Sequence, residues 1–208
     1  MSYSITDLSA DCYPETTVLV NKLGIRSQEA LDDLERVVTG IHTVEIVKEQ
    51  SEEPLSFAFY RNLHKRLFGD LYEWAGELRK VDMSKQGTSF CRVENLEEIG
   101  NTIFQWLRKH KELRGMKRER FVKELADLYH RINMLHPFRE GNGRTQRLFF
   151  TLLIRRAGYE IDFAATDTDA LMIATVYAAQ GVMDYLYGYF DRVIVGSSER
   201  DAFGSDDA

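Results

Sequence analysis

Hydrophobic residues recur at helical spacing along most of the chain. Leu31, Leu34, Val38 and Ile41 follow Ser27, which reads as an N-cap, and Glu29, Asp32, Asp33 and Glu35 lie early, where the helix dipole favours acids. A second helix is predicted from about Ser56, carrying Phe59, Leu63 and Leu67 and stopped by Gly69. Leu96, Ile99, Ile103 and Leu107 mark another, and Phe121, Leu125, Leu128, Ile132 and Leu135 form a stripe of alternating four and three. That stripe ends at His136-Pro137, because the residue before a proline is driven out of the α region. From about Arg144 to Arg156 the chain is apolar on several faces (Leu148, Phe149, Phe150, Leu152, Leu153, Ile154), which predicts a central, buried helix stopped by Gly158. Two more helices are expected at about 169–180 and 183–193.

The helical pattern lapses between about Leu78 and Val93. LRKVDMSKQGTSFCRV has β-friendly arms around Ser84-Lys85-Gln86-Gly87 and reads as a hairpin or flap, with an ordinary surface loop as the alternative. Residues 1–26 read as an irregular segment packed on the core, 27–194 as the body of one mainly α domain, and 195–208 as a disordered polar tail. The 208 residues are 44% hydrophobic, enough to bury a sizeable core. Three prolines favour long helices.

Charge narrows the partners. Lys plus Arg is 27 and Asp plus Glu 33, a net charge of -6, so the chain as a whole repels nucleic acid and anionic membrane. Cys12 and Cys91 lie far apart, which speaks against a disulfide framework and for a reducing cytoplasm. The first residues show no basic and apolar leader, and no apolar run approaches the roughly 18 residues of a membrane span.

Chemistry concentrates in HPFREGNGRTQR, residues 136–147. One helix delivers His136 at its C-terminal end, and a loop punctuated by Gly141 and Gly143 turns into the N-terminus of the next. Glycines permit positive φ and close backbone approach, and a helix N-terminus behind such a loop is an anion site. Arg144 and Arg147 are three apart and share a face of the first turn, placed to hold phosphate oxygens. Asn142 offers an amide to the same anion, and Glu140 is the hard ligand a phosphate-bound Mg²⁺ needs. Neutral His136 is able to take a proton from a hydroxyl. Together these groups describe phosphoryl or nucleotidyl transfer, and with no covalent nucleophile arranged among them, transfer is direct. Each has a plainer reading alone: a helix C-cap, a solvated carboxylate, surface arginines, loop glycines. A zincin is excluded because Pro137 and Gly141 break the helix it requires. His64, His110 and His130 have no partner at ligand spacing and read as surface or edge residues.

The string His136 to Arg147 resembles the complete Fic signature, H-P-F-x-[D/E]-G-N-G-R-x-x-R, with all nine specified positions filled. Trp74-Ala75-Gly76-Glu77-Leu78-Arg79 followed by Gly87-Thr88-Ser89-Phe90 resembles the family's run into its flap. Tyr13-Pro14 and Asn21-Lys22-Leu23-Gly24-Ile25 resemble the N-terminal segment of short bacterial members. The resemblance implies a Fic-type helical bundle with a β-hairpin flap, and an enzyme that moves AMP from ATP to a Ser, Thr or Tyr hydroxyl of a target protein. It implies His136 as the base, Glu140 as the Mg²⁺ ligand, Asn142 with Gly141 and Gly143 as the anion hole, and Arg144 and Arg147 on the outer phosphates. Phe138 becomes a core anchor and the flap a docking strand for the target.

Family members that transfer phosphate carry lysine where Arg144 stands, so Arg144 argues for adenylylation. No glutamate here sits in the family's inhibitory pattern [S/T]-x-x-x-E-[G/N]. The resemblance then implies a toxin-like member held by a small helical antitoxin that carries the motif, with a type II topoisomerase subunit as the expected target. Transfer of phosphate or another nucleotide, and a nucleotide-binding module without turnover, are the rival readings. Tyr177 and Gln180 are candidates for the adenine pocket or for packing.

Overall fold

In the computed structural model, which describes residues 4–5, 11–49, 51–85 and 87–196, the chain runs β1 (Ser4–Ile5), α1 (Gln28–Lys48), α2 (Phe57–Phe68), β2 (Met83–Lys85), β3 (Thr88–Ser89), α3 (Leu96–Lys109), α4 (Arg118–Leu135), α5 (Asn142–Arg156), α6 (Thr168–Ala179) and α7 (Asp184–Val193). The architecture is mainly α with one small sheet, as the periodicity predicts. Capping residues act locally: the Ser27 hydroxyl accepts from the Ala30 N–H at 3.3 Å and the Ser56 hydroxyl from the Phe59 N–H at 3.0 Å. No helix among the described residues is long and apolar enough to cross a membrane.

α1 buries a different face from the one its apolar residues suggest. Leu31, Glu35, Thr39 and Ile46 point inward, whereas Ile41 is 54% exposed. At about 100° per residue the four inward positions share one arc, and Ile41 is rotated off it. Because that arc includes Glu35 and Thr39, counting apolar residues misplaces it. Ile99 of α3 is likewise exposed, while Leu96, Ile103, Phe104 and Leu107 face the core.

α5 is the central helix. Leu148, Phe149, Phe150, Leu153 and Ile154 are all buried, and α1, α2 and α4 pack around it. The Phe149 ring meets Tyr60 at 5.3 Å, Phe104 at 5.4 Å and Phe150 at 5.5 Å, all edge-on. α6 and α7 pair with each other and lie against α4.

The flap pairs as predicted, Ser84 with Ser89 and Lys85 with Thr88, with Gln86 of its turn outside the described residues. It is one strand larger than a hairpin. β1 pairs antiparallel with β2, Ser4 opposite Ser84 and Ile5 opposite Met83, giving the order β1-β2-β3. The irregular reading of residues 1–26 is corrected there, and again where Cys12 and Leu19 form a β-bridge. The first pairing depends on a partner about 80 residues away, which a local pattern does not reveal. The composition predicts a tail from 195, yet Val195 is still tied to Glu160 by two backbone hydrogen bonds of 2.9 and 3.0 Å. Residues 197–208 lie outside the described residues.

Truncating the ring at the centre of this core, Phe149→Ala, is expected to cost about 3–5 kcal/mol in urea-induced unfolding; a loss below about 1 kcal/mol contradicts the central placement of α5.

Candidate active site

α4 ends on His136, whose backbone is left-handed (φ 44, ψ 59). The pre-proline restriction predicts only that His136 leaves the helix; the left-handed turn aims the following residues back into the core. Phe138 is fully buried there, its ring 3.9 Å from His64 and 5.5 Å from Tyr60. Asn142 closes the loop on itself: its Oδ1 accepts from the Phe138 N–H at 2.9 Å and its Nδ2 donates to the Phe138 carbonyl at 2.7 Å. The expected amide for an anion is thus half committed to loop shape. Gly141 is left-handed (φ 77), and a Cβ there would sit 2.4 Å from the Phe68 ring. Gly143 does not need positive φ, because α5 begins at Asn142; it contributes an exposed, side-chain-free position on the first turn.

His64 corrects the surface reading. It is fully buried, accepts from the Gly76 N–H on Nδ1 at 2.8 Å and donates from Nε2 to the Glu140 carbonyl at 2.9 Å. Burial pushes its pKa down to about 4. Its residue type and spacing gave no sign of this, since both partners lie on other segments. Arg79 is a second contributor whose role sequence reasoning missed. Its side chain is fully buried; Nε donates to the His136 carbonyl at 2.8 Å, Nη1 to Val81 at 2.7 Å and Nη2 to the Cys91 carbonyl. One guanidinium therefore joins both flap arms to the loop that carries His136.

The loop's charges find partners from outside. Arg139 is buried against Asp11, 3.0 Å from Nε to Oδ2. Arg144 Nη2 is 2.5 Å from Glu35 and 3.8 Å from Glu140. Glu140 Oε1 also accepts from the Gly141 N–H at 2.8 Å. Three arginines and one glutamate in the motif suggest an unbalanced positive pocket; Asp11 and Glu35 offset two of those arginines. Among the described residues Arg147 has no carboxylate within 4 Å.

His136 is 6% exposed and stacks flat on Phe90 of the flap, ring centres 3.8 Å apart. Burial pushes its pKa down to about 3, reinforced by the positive charges of Arg79 and Lys85 and opposed by a backbone hydrogen bond at Asn133. The ring is neutral at pH 7. It opens on a cavity of about 330 Å³ between flap, loop and α6, whose walls include Thr88, Phe90, Gly143 and Arg147. Gly87 (φ 79) is exposed in the flap turn, and Ser89 points outward. The far wall is Leu171, Met172, Thr175, Val176 and Ala179 of α6, none of which stood out in the sequence. Tyr177 and Gln180 are not part of it; Tyr177 stacks on Tyr185 at 4.3 Å at the surface.

His64 and His136 both have folded pKa values below the ordinary 6.5. The neutral rings therefore stabilise the fold fully above about pH 6.5, and that stability is lost as pH falls towards 4 and then 3, because the unfolded chain takes up the protons first. Urea midpoints are expected to drop from pH 7 to 4.5, with His136→Ala taking up about one proton fewer on unfolding than wild type; equal uptake refutes a neutral His136. Gly141→Ala is expected to lower the melting temperature and to be partly rescued by Phe68→Ala, and additivity of the two losses in thermal melts refutes the steric account.

Comparison with known proteins identifies the family. A model of the Fic/DOC family matches residues 54–154. The chain is 37% identical over 184 residues to the probable protein adenylyltransferase y4lH of Sinorhizobium fredii, spanning 88% of this chain and 94% of that protein. It is 33% identical over 187 residues to the probable protein adenylyltransferase Fic of Escherichia coli, spanning 90% and 92%. Among solved structures, the N-terminal Fic domain of a VirB-translocated Bep effector protein from Bartonella quintana, with bound ADP, superposes with a TM-score of 0.85 at 25% identity, over 91% of this chain and 96% of that one. The shared fold, the similarity over about nine-tenths of the chain and the filled loop signature agree: the chain belongs to the Fic/DOC family.

Proposed function

We propose that the chain transfers AMP from ATP, bound with Mg²⁺, to a Ser, Thr or Tyr hydroxyl of a target protein and releases pyrophosphate. The activity is that of a protein adenylyltransferase. The observation that carries it is a neutral, buried His136 at the mouth of a cavity bounded by the flap and the N-terminus of α5. Relatives named protein adenylyltransferase and a neighbour with bound ADP support the same reading.

The Gly143 N–H, joined by that of Gly141 once Glu140, its present acceptor, turns to Mg²⁺, holds the phosphates at the positive end of α5, with Asn142 keeping the turn closed. Arg144 and Arg147 take the outer ones, as bidentate donors suit. Glu140, a half-buried carboxylate beside those N–H groups, would hold Mg²⁺, which neutralises phosphate charge when bound. The apolar wall of α6 fits an adenosine. Gly87, Thr88, Ser89 and Phe90 present the target chain, and because β1 covers the β2 side, strand addition uses the outer edge of β3. His136 takes the hydroxyl proton as the oxygen bonds to the α-phosphorus and the bond to the β-phosphate oxygen breaks. A pKa of about 3 makes a weak base, but phosphate charge arriving at the loop opposes Arg79 and Lys85 and raises it.

Inhibition in trans by a small helical antitoxin belongs to the same reading, supported by the absence of [S/T]-x-x-x-E-[G/N] from these 208 residues. The cytoplasm is the proposed site of action and a type II topoisomerase subunit the first target to test.

Incubating the protein with a bacterial lysate and ATP labelled on the α-phosphate is expected to label protein bands, and γ-labelled ATP is not. His136→Ala should reduce the rate by about 10²–10⁴-fold. Label from the γ-phosphate, or bands unchanged in His136→Ala, overturns the assignment. Because kcat/KM reports the free enzyme, it should show no loss from histidine protonation between pH 8 and 5; an inflection near 6.5 contradicts the depressed pKa.

A further inference from the structure

α1 delivers to the loop a carboxylate that the reaction scheme does not use. Glu35 has a side chain only 7% exposed, with Oε2 at 2.5 Å from Arg144 Nη2. Its other oxygen accepts a hydrogen bond from the Tyr72 hydroxyl. Tyr72 is buried and stacked on Trp74 at 4.5 Å, so the donor cannot swing away. Burial and the neighbouring Glu35 hold the tyrosine pKa well above its ordinary value, which keeps the hydroxyl a donor. On its other face the Arg144 guanidinium lies over the Phe68 ring, 4.7 Å from its centre, and Phe68 is the ring that leaves no room for a side chain at 141.

We infer that Glu35, braced by Tyr72, is a positioning residue for the transfer reaction: it holds the Arg144 guanidinium so that its remaining donors meet the outer phosphates of the nucleotide. The inference rests on the reading of Arg144 as a phosphate ligand. A guanidinium carries five N–H donors, so a carboxylate on one edge leaves others to bind. Burial separates the two sides of the pair. The Glu35 side chain is 7% exposed and that of Arg144 29%, so the acid sits behind and the cation faces out. In front of it lies a cleft of about 1480 Å³ between α1 and α5, which Arg144 and Arg147 both line. Arg147 also lines the cavity beside His136, so the two spaces meet at its side chain.

The opposite role, a built-in competitor that occupies Arg144 until phosphate displaces it, fits the geometry less well. Displacement would strand a desolvated carboxylate whose other oxygen is already committed to a fixed hydroxyl. Holding a flexible arginine in one conformation before the ligand arrives instead lowers the entropy lost on binding.

The test is calorimetric titration of AMPPNP and of AMP, each with Mg²⁺, into wild type, Glu35→Gln, Arg144→Ala and the double variant. AMP lacks the outer phosphates, so its affinity also reports whether each variant keeps a folded site. E35Q is expected to weaken AMPPNP about tenfold, the loss of a charge-assisted contact, and to leave AMP unchanged. In the R144A background E35Q should add no further loss. Tyr72→Phe should shift AMPPNP in the same direction by less. AMPPNP binding as tight as or tighter than wild type in E35Q, equal loss of AMP, or additive losses in the double variant each overturn the proposal. If R144A itself binds AMPPNP like wild type, the reading of Arg144 fails and the Glu35 inference with it. If R144A weakens AMPPNP and E35Q does not, that reading stands and only the Glu35 inference falls.

Discussion

An irregular stretch of backbone buried between two helices must find a partner for every carbonyl and N–H it hides, and the loop between α4 and α5 is built around that constraint. The His136 carbonyl accepts from Arg79 Nε, Pro137 from the Arg79 N–H, Phe138 from Asn142, Glu140 from His64, and Gly141 from Thr145. The donors come from α2, from the segment leading into the flap, and from α5 itself. Loop conformation is therefore a property of how those pieces pack. The Phe138 ring, in contact with His64 and Tyr60, fastens the loop to the core at its midpoint.

The same architecture sets the electrostatics. A net charge of -6 leaves the chain acidic as a whole, and the loop is the local exception. Its exception is smaller than the motif alone implies, because Asp11 and Glu35 reach in to pair with Arg139 and Arg144. What remains is Arg147, the dipole of α5 and the N–H groups of its first turn, a small and local excess of positive charge. His136 sits at the edge of this field under Phe90, shielded from water and kept neutral. Through Arg79 both flap arms are hydrogen-bonded to the same backbone segment as His136.

Much of this was legible beforehand. The helix stripes, the caps at Ser27 and Ser56, the hairpin, the central α5 and the loop with its motif residues follow from spacings of two to four residues. Such spacings report local hydrogen bonds and one buried face, both of which a short segment encodes. The misreadings share one cause. Local spacing makes Glu35 an acid favoured by the helix dipole, His64 an edge histidine and Ile41 a core residue, because each assignment turns on which arc of a helix faces a neighbour. That arc is set by interhelical packing.

By itself the sequence determined which segments become helices and that the chain carries the loop signature of the Fic/DOC family, since those properties reside in residues adjacent along the chain. Only the tertiary structure decided which groups hold that chemistry in place. Glu140 meets His64 across 76 residues, His136 meets Arg79 across 57, and Arg139 meets Asp11 across 128. Contacts at such separations exist only once the helices pack, and their polar partners carry no periodic signature of their own.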